Sequence, residues 1–182
     1  SVSHQDFKQK VKAKAYKAEE RNGLVWVFMG DQENVPGLPE HEATLVPEEQ
    51  MMINFKLREC NWLQAIEGEI DTSHLGFLHF GSVGKGNFED ATFRSTVANR
   101  APEYISRETD YGAVYAAHRP AAERPGMTNW RLAHFLFPCF ALPPLAALDT
   151  NVSLRGYIPM DDENTMCVIL FKKDNRTADD WA

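Results

Sequence analysis

Asp71, His74 and His79 stand in the run Cys60-Asn61-Trp62-Leu63-Gln64-Ala65-Ile66-Glu67-Gly68-Glu69-Ile70-Asp71-Thr72-Ser73-His74-Leu75-Gly76-Phe77-Leu78-His79, two imidazoles and a carboxylate within nine residues. Imidazole is a borderline ligand that serves zinc, copper, nickel and iron, so the residue types suggest a metal half-site without naming the metal. On an ideal helix three positions turn a side chain by about 300°, which leaves Asp71 and His74 roughly 60° apart on one face, within reach of each other. Five positions turn it by about 500°, so His74 and His79 point roughly 140° apart on a straight helix, unlike the four-residue His pair of the zinc metalloproteases. Their convergence calls for a π-bulge or a helix end between them, and Gly76, a weak helix former, occupies that interval. The spacing also suits hydrogen-bonded core or surface histidines, and Asp71 also suits a helix-start carboxylate near the positive end of the dipole.

The elements that must position these residues fall into three parts. Residues 1–31 read as a hairpin: a strand ending near Ala18, a turn at Arg21-Asn22-Gly23, and an apolar strand from Leu24 to Met29. Lys8, Lys10, Lys12, Lys14 and Lys17 fall mainly at alternating positions, which gives the first strand a polar face suited to blocking edge-to-edge pairing. Residues 32–50, with Pro36, Gly37, Pro39 and Pro47, read as an irregular connector. From Met51 a strand at Met52 to Glu59 leads into a helix from about Trp62. A glycine-rich exit follows at Gly81-Ser82-Val83-Gly84-Lys85-Gly86-Asn87, which lacks the Gly-Lys-Ser/Thr ending of a phosphate loop. Beyond it, Glu103 to Arg119, Trp130 to Phe140, Asn151 to Pro159 and Thr165 to Phe171 alternate or run apolar between turn residues, as an antiparallel sheet requires. The residue pattern therefore predicts an α+β fold.

With 182 residues, 43% of them hydrophobic, the chain can bury one sizeable core. Its net charge of −7, with basic residues spread out apart from Lys8 to Lys17, argues against nucleic acid as a partner. No run approaches the roughly 18 apolar residues of a membrane span. Without a signal-peptide pattern, and with Cys60, Cys139 and Cys167 scattered, the expected location is cytoplasmic.

Residues 61–79 closely resemble the iron-site segment of the Rieske non-haem iron aromatic-ring oxygenases, most of all their phthalate dioxygenase-like branch. The likeness extends back through Arg21-Asn22-Gly23-Leu24-Val25-Trp26-Val27-Phe28-Met29-Gly30 and Pro36-Gly37-Leu38-Pro39. The resemblance implies a curved antiparallel sheet gripping a helix, a START/Bet v1-like helix-grip domain, preceded by a β-hairpin remnant of the Rieske domain. Residues 1–50 would then be the end of that domain and its connector, and 51–182 part of the catalytic, mononuclear-iron domain. It implies that His74 and His79 are two of three protein ligands to a mononuclear Fe(II), in a facial triad that leaves positions open for oxygen. Asp71 becomes a bridge, hydrogen-bonded to a ligand histidine and to a cluster histidine of the neighbouring subunit, which places the family member in a homotrimer or stacked trimers. Electrons from NAD(P)H would pass through a reductase or ferredoxin and a [2Fe–2S] Rieske centre to the iron. There O2 hydroxylates, dihydroxylates or O-demethylates an aromatic substrate, an aryl carboxylate or related compound.

Two departures limit that expectation. A Rieske cluster needs paired Cys and His ligands, and no cysteine precedes Phe55, so the [2Fe–2S] ligands are absent from this chain. The third iron ligand is expected beyond residue 182, because Asp174, Asp179 and Asp180 sit in a polar run that reads as a solvated connector. A fragment with neither is expected to be inactive alone. Arg100 or Arg131 is a candidate for a substrate carboxylate, while Phe135, Leu136, Phe137, Phe140 and Leu142 suit core packing or a cavity lining. His118 and His134 read as structural. Two other readings stay open on the residues alone: a metal-free helix-grip module for an apolar ligand, and a zinc hydrolase built on His74, His79 and a carboxylate.

Overall fold

Asn22 and Gly23 both take positive φ, 55° and 68°, the pairing that a two-residue type I′ hairpin turn demands. The computed structural model describes residues 11–78, 91–144 and 152–173. In it this turn joins β1 (Ala18–Arg21) to β2 (Leu24–Val27), with Arg21 opposite Leu24 and Ala18 opposite Val27. The expected basic strand upstream of Ala18 does not form in residues 11–17. The register explains why: β2 ends at Val27, so beyond Ala18 the described residues add one backbone bond, Phe28 N–H to the Lys17 carbonyl at 2.9 Å, while the Lys17 N–H turns to Gln32 Oε1 at 2.7 Å. Lys8 and Lys10 lie outside the described residues.

The expected irregular connector carries one short helix, α1 (Glu42–Leu45), and a 3-10 turn at Glu48–Gln50. Next come β3 (Met51–Arg58), α2 (Trp62–Ile70), α3 (His74–Phe77) and α4 (Ala91–Ala98). The chain closes with β4 (Glu103–Thr109), β5 (Gly112–Pro120), β6 (Thr128–Leu136), β7 (Phe140–Leu142), β8 (Ser153–Pro159) and β9 (Thr165–Lys172). β3 to β9 form one antiparallel sheet in the order β3-β9-β8-β7-β6-β5-β4. Two of the expected runs each divide. Asp110-Tyr111 turns the chain between β4 and β5, and Phe137-Pro138-Cys139, with a cis Phe137-Pro138 bond, separates β6 from β7.

Side chains alternate across the sheet, and each face has its own cover. On one face Ala141, Tyr157 and Cys167 pack against Ala65 and Ile66 of α2. On the other, Leu136, Leu154 and Leu170 pack against Ala43 of α1 and Met51, with Leu24 and Trp26 of the hairpin alongside. Trp26 lies 5.9 Å from the Phe140 ring, and Asn22 donates its amide to the Val46 carbonyl at 2.7 Å, so hairpin and connector dock together. The result is the α+β, helix-on-sheet architecture that the sequence predicted, with a separate two-stranded hairpin.

The helix on the first face follows from its sequence. Asn61 caps α2 by accepting the Leu63 N–H at 3.0 Å, and Trp62, Ala65, Ile66, Glu69 and Ile70 then fall on one stripe toward the sheet. Burying Ile66, 2% exposed, contributes about 1.5–3 kcal/mol. Thr165 of β9 fastens the helix start by donating its hydroxyl to the Cys60 carbonyl at 2.7 Å.

Candidate metal half-site

α2 ends because Asp71 turns extended, φ −66° and ψ 117°, while its own N–H still donates to the Glu67 carbonyl at 3.0 Å. The freed carboxylate then serves the next element. Its Oδ1 accepts the Ser73 N–H at 2.8 Å and its Oδ2 the His74 N–H at 3.0 Å, so Asp71 acts as the cap of α3. Oδ2 also lies 3.7 Å from His74 Nδ1, an ion-pair contact longer than a hydrogen bond. Asp71 and His74 therefore meet, as the spacing predicted, but not as neighbours on one continuous helix face. The chain breaks between them and the carboxylate folds over the start of the next turn.

α3 ends at Phe77, within the interval between His74 and His79, and Gly76 lies inside it and is buried. Its lack of a side chain serves close packing: a Cβ there would meet Cβ and Cγ of Arg100 at 3.1 Å. Arg100 also holds its guanidinium 6.0 Å from the Phe77 ring centre. His79 lies outside the described residues, as do Gly81 to Asn87 and the Asp174 to Asp180 run. Among the described residues no three His, Cys, Asp or Glu side chains gather as a metal site.

Two tyrosines tie the 71–74 link to the sheet. Thr72, fully buried, shares a hydrogen bond with Tyr115 of β5 at 3.0 Å, and Ser73 shares one with Tyr104 of β4 at 2.5 Å. The two rings meet edge-on at 5.4 Å. Burial pushes the Tyr115 phenol up, against the lowering effect of the Thr72 bond, with Tyr104 and the Asp71 charge adding to the rise, so it remains a neutral hydroxyl.

Two residues before Asp71, Glu69 accepts Tyr157 Oη at 2.6 Å and pairs with Arg155 Nη1. Tyr157 is 1% exposed, and burial first, the Glu69 charge second, drive its phenol far above the ordinary range. The sequence did carry a signal for Glu69, a carboxylate on the otherwise apolar stripe of α2. Tyr104 and Tyr115 gave none, since each contact joins residues 31 and 43 positions apart.

The remaining candidates separate. Arg131 shares the sheet face of Tyr115 and Ala133 and donates to the Pro144 carbonyl. Phe135 packs with the α2 cluster while Leu136 and Leu142 belong to the opposite one, so the five apolar residues do not line one surface. His118 stacks on Trp130 at 4.6 Å, 3.7 Å from Glu103, and His134 alternates onto that same face, away from Asp71. Burial lowers the His134 pKa, which favours its neutral form.

The profile of the LigXa C-terminal domain-like family matches residues 27–182. The chain belongs to this family. Among its relatives, the 3-chlorobenzoate-3,4-dioxygenase oxygenase subunit of Comamonas testosteroni is 43% identical over 88% of this chain and 37% of its own length. The phthalate 4,5-dioxygenase oxygenase subunit of Pseudomonas putida is 30% identical over 86% of this chain and again 37% of its own length. The chain thus spans a little over a third of these relatives. Dicamba monooxygenase shares the fold with a TM-score of 0.55 at 13% identity, over 86% of this chain and 49% of its own. The terminal oxygenase of carbazole 1,9a-dioxygenase from Nocardioides aromaticivorans IC177 does so with a TM-score of 0.52 at 15% identity, over 94% and 52%. These relatives are oxygenase subunits, the kind of protein that residues 61–79 resemble.

Proposed function

We propose that the protein containing this chain is the terminal oxygenase component of a Rieske-type system, with His74 and His79 as two ligands of a mononuclear Fe(II). The observation that carries this reading is the Asp71 carboxylate beside His74 Nδ1. A negative charge there favours the Nδ1–H tautomer, which leaves the Nε2 lone pair for a metal. The donor set thus fits a metal-bound imidazole with its orienting carboxylate. When bound, iron would supply the activation of O2, with electrons from a reductase or ferredoxin by way of a [2Fe–2S] centre.

The work of this chain is then to hold and orient. Asp71 keeps the His74 backbone and ring in place, and in the assembled trimer it would pass electrons across a subunit boundary. Residues 1–50, with the β1–β2 hairpin, would close the cluster domain, and the third iron ligand and the cluster ligands would come from outside residues 1–182. The named substrates of two relatives, 3-chlorobenzoate and phthalate, are aryl carboxylates, which supports the same substrate class here. Arg100, packed against α3 at Gly76, and Arg131, on the sheet face of Tyr115, are the candidates for such a carboxylate.

The test is iron analysis of the full-length protein and of His74→Ala and His79→Ala. Near-stoichiometric mononuclear iron that falls away in both variants is expected. Iron content unchanged in His74→Ala would overturn the assignment, and tight zinc in place of iron would favour a hydrolase.

A further inference from the structure

α3 is a single turn, with bonds from the Gly76 N–H to the Ser73 carbonyl at 3.1 Å and from the Leu78 N–H to the His74 carbonyl at 2.7 Å. A helix this short does not hold itself, because nucleation costs more order than the bonds of one turn return. Asp71 caps it, yet Asp71 belongs to the same unwound link and cannot by itself fix the turn relative to the rest of the molecule. Beside the packing of Gly76 on Arg100, two hydroxyl contacts join link to sheet, from Thr72 to Tyr115 and from Ser73 to Tyr104.

These anchors differ in stiffness. Tyr115 sits on β5, paired on both sides by β4 and β6, and its partner Thr72 has no exposed surface. Tyr104 sits on the edge strand β4, is 46% exposed, and is braced by the edge-on contact with Tyr115. The four side chains form a clasp in which two consecutive link residues bond two adjacent strands. Its span covers the residues immediately before His74.

We propose that Tyr115 and Tyr104 are positioning residues for His74, fixing through Thr72 and Ser73 where its imidazole stands relative to Asp71. The proposal rests on the iron reading of His74 for its purpose, but the clasp itself can be tested without metal. Neither tyrosine is required to touch iron, oxygen or substrate.

The experiment uses the full-length protein, its Tyr104→Phe/Tyr115→Phe variant, and Thr72→Val with Thr72→Ser as the conservative control. The first readout is hydrogen–deuterium exchange of the metal-free protein in a peptide covering residues 71–78, compared with one covering α2. Loss of the clasp should speed exchange at 71–78 by about tenfold with α2 unchanged, and Thr72→Ser should exchange like the unsubstituted protein. The second is Co(II) binding followed by its visible absorption, where affinity should fall about tenfold with an altered spectrum in the double variant and in Thr72→Val.

Unchanged exchange at 71–78 in both the tyrosine and Thr72→Val variants overturns the clasp whatever the metal does. Local exchange that speeds while Co(II) affinity and spectrum stay the same overturns its positioning role. A full-length protein that takes up no Co(II) removes the iron reading and with it the purpose assigned to the tyrosines, leaving exchange to decide the clasp alone. Should the double variant fail to fold, the Thr72 pair decides both points.

Discussion

Tyr157 donates its phenol hydroxyl to Glu69 across 2.6 Å, tying β8 to the last turn of α2 just two residues before Asp71. Arg155 reaches the other oxygen of the same carboxylate from the same strand. Tyr157→Phe removes a bond to a charged acceptor and should cost about 1.5–3 kcal/mol. Glu69→Ala should cost more, about 3–5 kcal/mol, because it leaves the Arg155 guanidinium, 17% exposed at its side chain, without its carboxylate. Urea denaturation reads both, and equal midpoints for Glu69→Ala and the unsubstituted chain would remove Glu69 from the account of α2 docking.

Alkaline pH should weaken the fold through the same contact. Burial raises the pKa values of Tyr157 and Tyr115 in the folded chain above the ordinary tyrosine value of 10.0, so the folded state holds protons that the unfolded state releases. Their contribution is fully present below pH 10.0 and is lost as pH rises above it toward the folded values. Stability measured from pH 8 to 11 should therefore decline beyond about pH 10, and Tyr157→Phe should flatten that decline. A slope identical in the two proteins would contradict the assignment.

Asp71 has two duties that substitution can separate. Asparagine keeps one acceptor oxygen in place of two, so Asp71→Asn should retain one of the Ser73 and His74 N–H bonds, whereas Asp71→Ala loses both and should cost about 0.5–2 kcal/mol in thermal unfolding. Both remove the charge beside His74 Nδ1. Nitrogen-15 NMR of the histidine ring should accordingly show a loss of Nδ1–H tautomer in both variants, while alanine lowers the melting temperature more than asparagine.

Gly76→Ala sets helix propensity against space. Alanine favours the helix by roughly 1 kcal/mol, but its Cβ would press on Arg100 Cβ and Cγ at 3.1 Å and on Arg100 Cα at 3.3 Å. Overpacking against backbone costs about 1–3 kcal/mol, so net destabilisation of about 1 kcal/mol is expected, and Gly76→Val should be worse. A raised melting temperature for Gly76→Ala would show that Arg100 yields.

The sheet was legible because alternation is a local property. Met51 to Arg58, Ser153 to Pro159 and Thr165 to Lys172 end within about two residues of where apolar alternation and turn residues put them. The helix break at Asp71 was not, since rotation angles assume the very continuity that the break removes. Asp71 does stand at a helix start, the alternative that the sequence also allowed, but the helix it serves is α3 and not α2. α4 escaped because Ala91 to Ala98 mixes Thr, Ser and Arg with its apolar residues and makes only a weak amphipathic stripe. The tyrosine contacts depend on which strands become neighbours, which periodicity within one strand does not encode.

The strand order also governs timing. β3 lies at an edge and its mate is β9, so Met51 waits for Lys172 before it has a partner. The strands that support α2, β7 and β8, likewise follow it in the chain. During synthesis the residues that carry Asp71 and His74 therefore leave the ribosome well before the surface they rest on. Closing contacts so distant along the chain is slow, so the half-site is expected to assemble in one late step, when the last strand enters the sheet.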